Sequence, residues 1–206
     1  MSIVLIRHAE TDLNATRVLQ WPDTPLGHRG RAQAQALAAR FGTASPRPAV
    51  LVSSDMARAR QTADAIAAAT GLPILESPLL RERDFGLLRG RPYDSLPFDP
   101  VADERAPPEG ESMPQFRERV AQALEWLRGV RREAAGDVLA VTHGLVIRVL
   151  LAEHVALPQG VSPPERLANT SVSILGAEPP HPVSRMDCSL HLDGLLRDDG
   201  RGVVGV

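Results

Sequence analysis

The sequence predicts an α/β protein built on a largely parallel sheet. Two segments carry that expectation, because each is an aliphatic run ending on a histidine: Ile3-Val4-Leu5-Ile6-Arg7-His8 and Val138-Leu139-Ala140-Val141-Thr142-His143. Such runs, bounded by turn signals, read as strands buried on both faces. A third observation supports it: stretches of helical periodicity stand between the strand-like runs, as crossover connections require. In open α/β sheets ligands bind beyond the carboxyl ends of the strands. Both imidazoles are therefore expected where the chemistry takes place.

After the first strand comes a polar loop, Ala9 to His28, punctuated by Pro22, Pro25 and Gly27. Residues 30–41 predict a helix with Ala34, Leu37, Ala38 and Phe41 on its inner face. Ala49-Val50-Leu51-Val52 is a short buried strand, and a helix is expected from Asp55 to Thr70 with Met56, Ala59, Ala63, Ile66 and Ala67 inward. Gly71 ends it, since glycine accepts the left-handed conformation after a last turn. Pro73-Ile74-Leu75 begins another strand.

From Arg81 to Glu111 the chain is irregular and carries Pro92, Pro97, Pro100, Pro107 and Pro108. An excursion of this length inside a compact domain reads as a functional loop, here one that covers a substrate. Ser112 and Gln115 form a capping-box signal for a helix with Phe116, Val120, Leu124 and Leu127 on one stripe. The second strand-to-histidine unit and a helix from Gly144 to Glu153 come next. Ser171–Leu175 and His181–Leu192 are expected as late strands at an edge, and the glycine-rich segment 200–206 as a mobile tail. There is no internal repeat, and residues 1–206 are expected to form a single domain.

Composition narrows the partners. Charged residues make up 23% of the chain and the formal net charge is −2, which gives no reason to expect nucleic acid. All 23 basic residues are arginine, so an anion site must use guanidinium forks, and lysine nucleophiles are excluded. The single cysteine, Cys188, cannot form an internal disulfide and fits a reducing compartment. No signal peptide or membrane-length apolar run is evident, so a cytoplasmic protein without membrane contact is expected. The sequence does not fix the oligomeric state, which leaves a homodimer open.

Three groups of residues carry chemistry. Arg7-His8 is followed closely by Glu10 and Asn14; a neutral imidazole is a competent nucleophile toward phosphorus, and arginine grips phosphate oxygens in pairs. Ser53-Ser54 precedes a helix start with Arg58 in its first turn, where helix dipole and guanidinium both favour an anion. Glu82 lies between Arg81 and Arg83, which tend to keep a carboxylate ionised. Only burial or a bound dianion would make it a general acid. Each group alone has a bland reading: a satisfied strand-end histidine, a surface arginine, a solvated ion-pair cluster.

In order and spacing these groups resemble one family. Arg7-His8-Ala9-Glu10-Thr11 with Asn14, Asp23-Thr24-Pro25-Leu26, Gly30 and Gln33 is similar to the opening signature of the histidine phosphatases, the phosphoglycerate mutase-like superfamily. Ser53-Ser54 with Arg58-Ala59 and Gln61-Thr62-Ala63 resembles its second motif, and Glu82 with Phe85-Gly86 and Gly90 its third. Pro108-Glu109-Gly110-Glu111-Ser112 resembles the fourth, and Thr142-His143-Gly144 with Val146-Ile147-Arg148 the last. The resemblance implies a three-layer α/β/α sandwich with a mixed, mostly parallel sheet. It also implies roles: His8 as the nucleophile that becomes a phosphohistidine, Arg7, Asn14, Arg58 and His143 on the phosphoryl oxygens, and Glu82 as acid and then base. No metal or cofactor is implied, and the expected partner is a small phosphorylated substrate. Two positions depart from the pattern: Ala9 stands for a glycine, and Gln20, before Trp21 and Pro22, for another.

Within that family the expected activity is phosphoric monoester hydrolysis. The mutases carry a tyrosine where this chain has Phe85 and a histidine where it has Asp84, and the region between Gly90 and Pro108 is short. Three alternatives remain: a cofactor-dependent phosphoglycerate mutase, a non-catalytic phospho-ligand binder, and a metal site of His8, Glu10, Glu82 and His143. Arg60, Arg83, Arg89 and Arg91 could read a second anion on the substrate or be ordinary surface charges.

Overall fold

The computed structural model describes residues 1–192 and Gly194, so the tail expected at 200–206 lies outside the described residues. The strands are β1 (Ser2–Arg7), β2 (Val50–Ser53), β3 (Ile74–Glu76), β4 (Val138–Thr142), β5 (Val172–Gly176) and β6 (Val183–Cys188). They form one sheet in the order β3-β2-β4-β1-β5-β6. The first four strands of that order run parallel, while β5 and β6 are antiparallel additions beyond β1. One pairing positions the site: β1 lies beside β4 with Arg7 opposite Thr142. His8 and His143 therefore leave the sheet next to each other.

Alternation along the central strands explains the layers. Ile3 and Leu5 of β1, with Val138 and Ala140 of β4, face the core on one side of the sheet. That core is filled by Phe116, Val120, Leu124 and Leu127 of α4 (Met113–Glu133) and by α5 (Gly144–Glu153). Val4, Ile6, Leu139 and Val141 face the other side, against Leu37 and Phe41 of α2 (His28–Gly42) and Ala59, Ala63 and Ile66 of α3 (Ala57–Thr70). The result is the expected α/β architecture with helices on both faces of a mixed sheet.

Local signals hold where their chemistry is complete. Gly71 caps α3 at φ 76°, in the left-handed region, and Ser112 with Gln115 forms the reciprocal capping box of α4. Several boundaries differ. α3 starts at Ala57 rather than Asp55, with Met56 as its N-cap. A four-residue helix, α1 (Asp12–Ala15), interrupts the loop after β1, because Thr11 and Asn14 make a capping box of their own. The last strand is shorter than expected, and of the two late strands only β6 lies at an edge, since β5 is sandwiched between β1 and β6. The 81–111 excursion contains two short 3-10 turns, Gly86–Leu88 and Tyr93–Ser95, which proline-rich sequence does not advertise. No helix among the described residues is long and apolar enough to cross a membrane.

Candidate active site

The two strand-end histidines meet with ring centroids 5.1 Å apart, and both are fully buried. His8 Nδ1 lies 2.8 Å from the Ala9 carbonyl, which can only accept, so this nitrogen carries the proton. Nε2 is then left with its lone pair. Arg58 Nε donates to that lone pair at 3.3 Å. Burial pushes the His8 pKa well below its ordinary value, and the Arg58 and Arg7 guanidiniums push it further the same way. The imidazole is neutral.

His143 uses its ring in the opposite sense. Its Nε2 sits 2.9 Å from Ser54 Oγ, while Nδ1 is buried without a hydrogen-bond partner among the described residues. Ser54 is fixed by its own N–H, which donates to the Val141 carbonyl of β4, and its hydroxyl accepts from the Met56 N–H. The Ser54 hydroxyl proton has no other acceptor among the described residues, so it goes to His143 Nε2 and the ring proton is assigned to Nδ1. Burial, then Arg58 and His8, hold the His143 pKa well below its ordinary value.

The arginines come from two elements. Arg7 ends β1, is fully buried and donates Nη1 to the Leu167 carbonyl. Arg58 lies in the first turn of α3, where Nη1 donates to the Trp21 carbonyl at 3.1 Å. Burial lowers the Arg58 pKa to about 10, which leaves it charged at neutral pH. Glu82 completes the centre, 2% exposed, with Oε1 accepting from the Arg83 N–H at 3.0 Å and Oε2 from the Leu145 N–H at 3.2 Å. Burial raises its pKa to about 7, against the opposing pull of those two N–H groups and of Arg58 and Arg7. The arginines flanking it in sequence do not keep it ionised. Arg81 turns away to Asp55, and Arg83 donates to the carbonyls of Pro100, Arg105 and Glu111.

A family model of the histidine phosphatase superfamily (branch 1) matches residues 3–186. The chain belongs to that superfamily. Among its relatives is the Probable phosphoglycerate mutase GpmB of Serratia proteamaculans strain 568, 34% identical over 184 residues, with 84% of this chain and 83% of that protein covered. A mycobacterial glucosyl-3-phosphoglycerate phosphatase, Rv2419c, solved with VO3, is 30% identical with a TM-score of 0.71 over 85% of this chain and 90% of that one. YhfR of Bacillus stearothermophilus is 30% identical with a TM-score of 0.73, covering 89% and 95%.

Of the residues singled out in the sequence, Arg7, His8, Arg58, Glu82 and His143 converge. Asn14 belongs to an adjoining network: its Oδ1 accepts from the Thr11 N–H at 3.1 Å. Gln20, the departure from the family glycine, is buried there with Oε1 2.8 Å from the Thr11 hydroxyl. Ala9, the other departure, fits a small-residue pocket with Leu26, Ala34, Ala38 and Ala65. Trp21 lies on Gly90, whose φ is 81°; a Cβ there would fall 2.2 Å from the indole. Glu10 pairs with Arg29, and no three His, Cys, Asp or Glu side chains among the described residues gather as metal ligands do.

Four contributors go beyond the roles expected from the sequence. Ser54 orients His143, and Leu145 supplies a backbone donor to Glu82. Asn169 Nδ2 donates to the His8 carbonyl at 3.0 Å. Arg119 donates to the carbonyls of Leu79, Arg81 and Glu82, fixing the chain that carries the acid. Ser54 could have been flagged from its place in the second motif. The other three act through main-chain groups, to which side-chain identity is blind.

Proposed function

We propose that this chain is a metal-independent phosphomonoester hydrolase acting through a phosphohistidine on His8. The observation that carries the reading is a pair of opposite protonation states in one buried centre. His8 is held neutral with its Nε2 lone pair available, and Glu82 keeps its proton up to about pH 7. A substrate phosphoryl group takes over the Arg58 donor now spent on His8 Nε2, joined by Arg7, His143 Nδ1–H and the donor end of the Asn14 amide. The Nε2 lone pair attacks phosphorus as the ester P–O bond breaks, and Glu82 gives its proton to the departing oxygen. Water then attacks the phosphohistidine and passes a proton to the Glu82 carboxylate. The P–N bond breaks and inorganic phosphate leaves. Preorganised positive charge carries most of the catalysis, as phosphoryl transfer requires.

The name of the Serratia relative favours a second reading, a mutase. A mutase must hold a bisphosphate while it reorients. A cleft of about 430 Å³ opens at Glu82 and is lined by Arg81, Arg89 and Arg119. Each of these is already paired, with Asp55, Asp84 and Glu111 respectively. The tyrosine hydroxyl of the mutases is absent at Phe85. Both features support hydrolysis. The test is to follow inorganic phosphate release from phenyl phosphate and from phosphoglycerates, with and without chelator. Chelator-insensitive release, with an acid-labile phosphate trapped on His8, is expected. Bisphosphate-dependent phosphoglycerate interconversion faster than release would select the mutase, and phosphate binding with neither activity would select a binding protein.

A further inference from the structure

A second cavity, larger than that cleft at about 920 Å³, lies elsewhere. It runs along α5 between Leu145 and Glu153 and is roofed by the 93–104 segment. Two of its lining residues, Leu145 and Tyr93, are tied to Glu82. Leu145 lines it while donating its N–H to Glu82. Tyr93 lines it too, with the phenol within electrostatic reach of Glu82 and Arg7.

Its polar groups are unevenly satisfied. Arg17 pairs with Asp94, and Arg117 pairs with both Glu104 and Glu153. Asp99 accepts from the Val101 N–H. Two groups stand apart. The Tyr93 hydroxyl is buried and meets no hydrogen-bond partner among the described residues. Arg148, half-buried one turn beyond Leu145, lines the cavity, and its guanidinium makes no hydrogen bond or ion pair with any described residue. Glu165, an acid with no ion-pair partner among the described residues, is exposed at the rim, where water screens it. The remaining wall is largely apolar, with Leu96, Phe98, Val101 and Val149 among its members.

The geometry points to this cavity as the seat of the alcohol part of the substrate, and to that part being an apolar chain or ring that ends in its own anion. Its ester oxygen stays at Glu82 within reach of the Tyr93 hydroxyl, its hydrocarbon lies on the apolar wall, and its anion meets Arg148. The contrast with the smaller cleft is what decides the assignment. There Arg81, Arg89 and Arg119 each have a carboxylate already; here one partly desolvated guanidinium and one phenol do not. A buried donor without a partner is costly to leave unmade, so a ligand oxygen supplied to it is favourable.

This inference rests on the hydrolase reading, and the experiment separates the two. Phosphomonoesters of ω-hydroxy acids of increasing chain length are compared with the uncharged esters of matching alkanols. The wild-type protein should favour the longer carboxylated esters by about tenfold in kcat/KM, the scale of one charge-assisted hydrogen bond. Arg148→Met should bring that ratio close to one. Ala152 is exposed on the cavity wall, so Ala152→Trp can narrow the cavity without touching the core. It should lower kcat/KM for long esters more than for short ones. A carboxylate preference unchanged in Arg148→Met, or Ala152→Trp acting equally on all lengths, would overturn the inference. Hydrolysis of phenyl phosphate with no carboxylate preference defeats the cavity assignment alone. No hydrolysis of any ester defeats the hydrolase reading and this inference with it.

Discussion

The two strand-to-histidine units start alike and end in different chemistry. β1 and β4 are buried, parallel and in register, and each hands its chain to a histidine. After β1 the chain enters a loop, where the Ala9 carbonyl is close enough to take the His8 Nδ1 proton. The outer nitrogen is left bare beside Arg58. After β4 the chain enters a helix, and His143 is its N-cap, with its carbonyl accepting from the Ile147 N–H. No local carbonyl is offered to that ring, which reaches Ser54 with Nε2 instead and presents Nδ1–H. A strand end places a histidine; the loop or helix entered next decides which ring nitrogen keeps a lone pair and which keeps a proton.

The largest effect should come from removing the attacking ring. His8→Ala is expected to lower turnover of phenyl phosphate by about 10⁴-fold or more and to abolish the trapped phosphoenzyme. His143→Ala should cost about 10²-fold, as the loss of one oxyanion donor does, and should still trap phosphate. A phosphoenzyme that survives loss of His8 and vanishes with His143 would invert the comparison. Between these two falls Glu82→Gln, which can accept hydrogen bonds but has no proton to transfer. It should slow turnover by about 10³-fold for esters with poor leaving groups and much less for 4-nitrophenyl phosphate, whose oxygen leaves unprotonated. An equal loss for both leaving groups would remove Glu82 from the acid role.

Much of this difference is legible in the sequence, and the limits have physical causes. The strands, the strand-end positions of both histidines, the inward faces of α2 and α4 and the caps at Gly71 and Ser112 follow from side-chain identity and spacing, whereas the gathering of Arg58 and Glu82 around those histidines follows from the family resemblance. The tautomers follow from neither, because they depend on a carbonyl at Ala9 and a hydroxyl at Ser54, which the pairing of β2 with β4 brings beside His143. The ionisation of Glu82 is unreadable for a similar reason. Its sequence neighbours Arg81 and Arg83 suggest a carboxylate held charged, yet both guanidiniums turn elsewhere and burial governs instead. Arg83, one of four arginines that could have read a substrate anion, is buried and ties three carbonyls of the 100–111 segment together. Arg60 is likewise spent on Asp64 and Glu76.

Ser54→Ala sharpens the comparison at lower amplitude. Without the hydroxyl, His143 Nε2 loses its partner and the ring is free to exchange tautomers, so Nδ1 carries the proton only part of the time. Turnover should fall by about tenfold, equivalent to one hydrogen bond of roughly 1.4 kcal/mol, while the His8 phosphoenzyme still forms. Ring 15N chemical shifts of His143 should report the redistribution, and those of His8 should stay in place. A shift confined to His8 would mean that the two rings do not divide the work in this way.

The smallest effect is on stability, and its sign distinguishes the acid from the histidines. Glu82 has a folded pKa raised from 4.5 to about 7, so between those values the folded state binds more protons than the unfolded one. Stability contributed by this group therefore falls as pH rises through that window. His8 and His143 are shifted below 6.5, so their contribution is complete above that value and is lost as pH falls below it. Glu82→Gln removes only the first dependence. It also turns an NH2 group toward one of the two N–H donors, Arg83 or Leu145, a cost that does not change with pH. The measurement is thus the change in the Tm gap between variant and wild type, not the gap itself. The variant should gain on the wild type by roughly 2–4 °C per kcal/mol as pH rises from 4.5 to about 7. A gap that is flat across the window would show that burial does not hold the Glu82 proton, and the acid half of the proposed chemistry would fall with it.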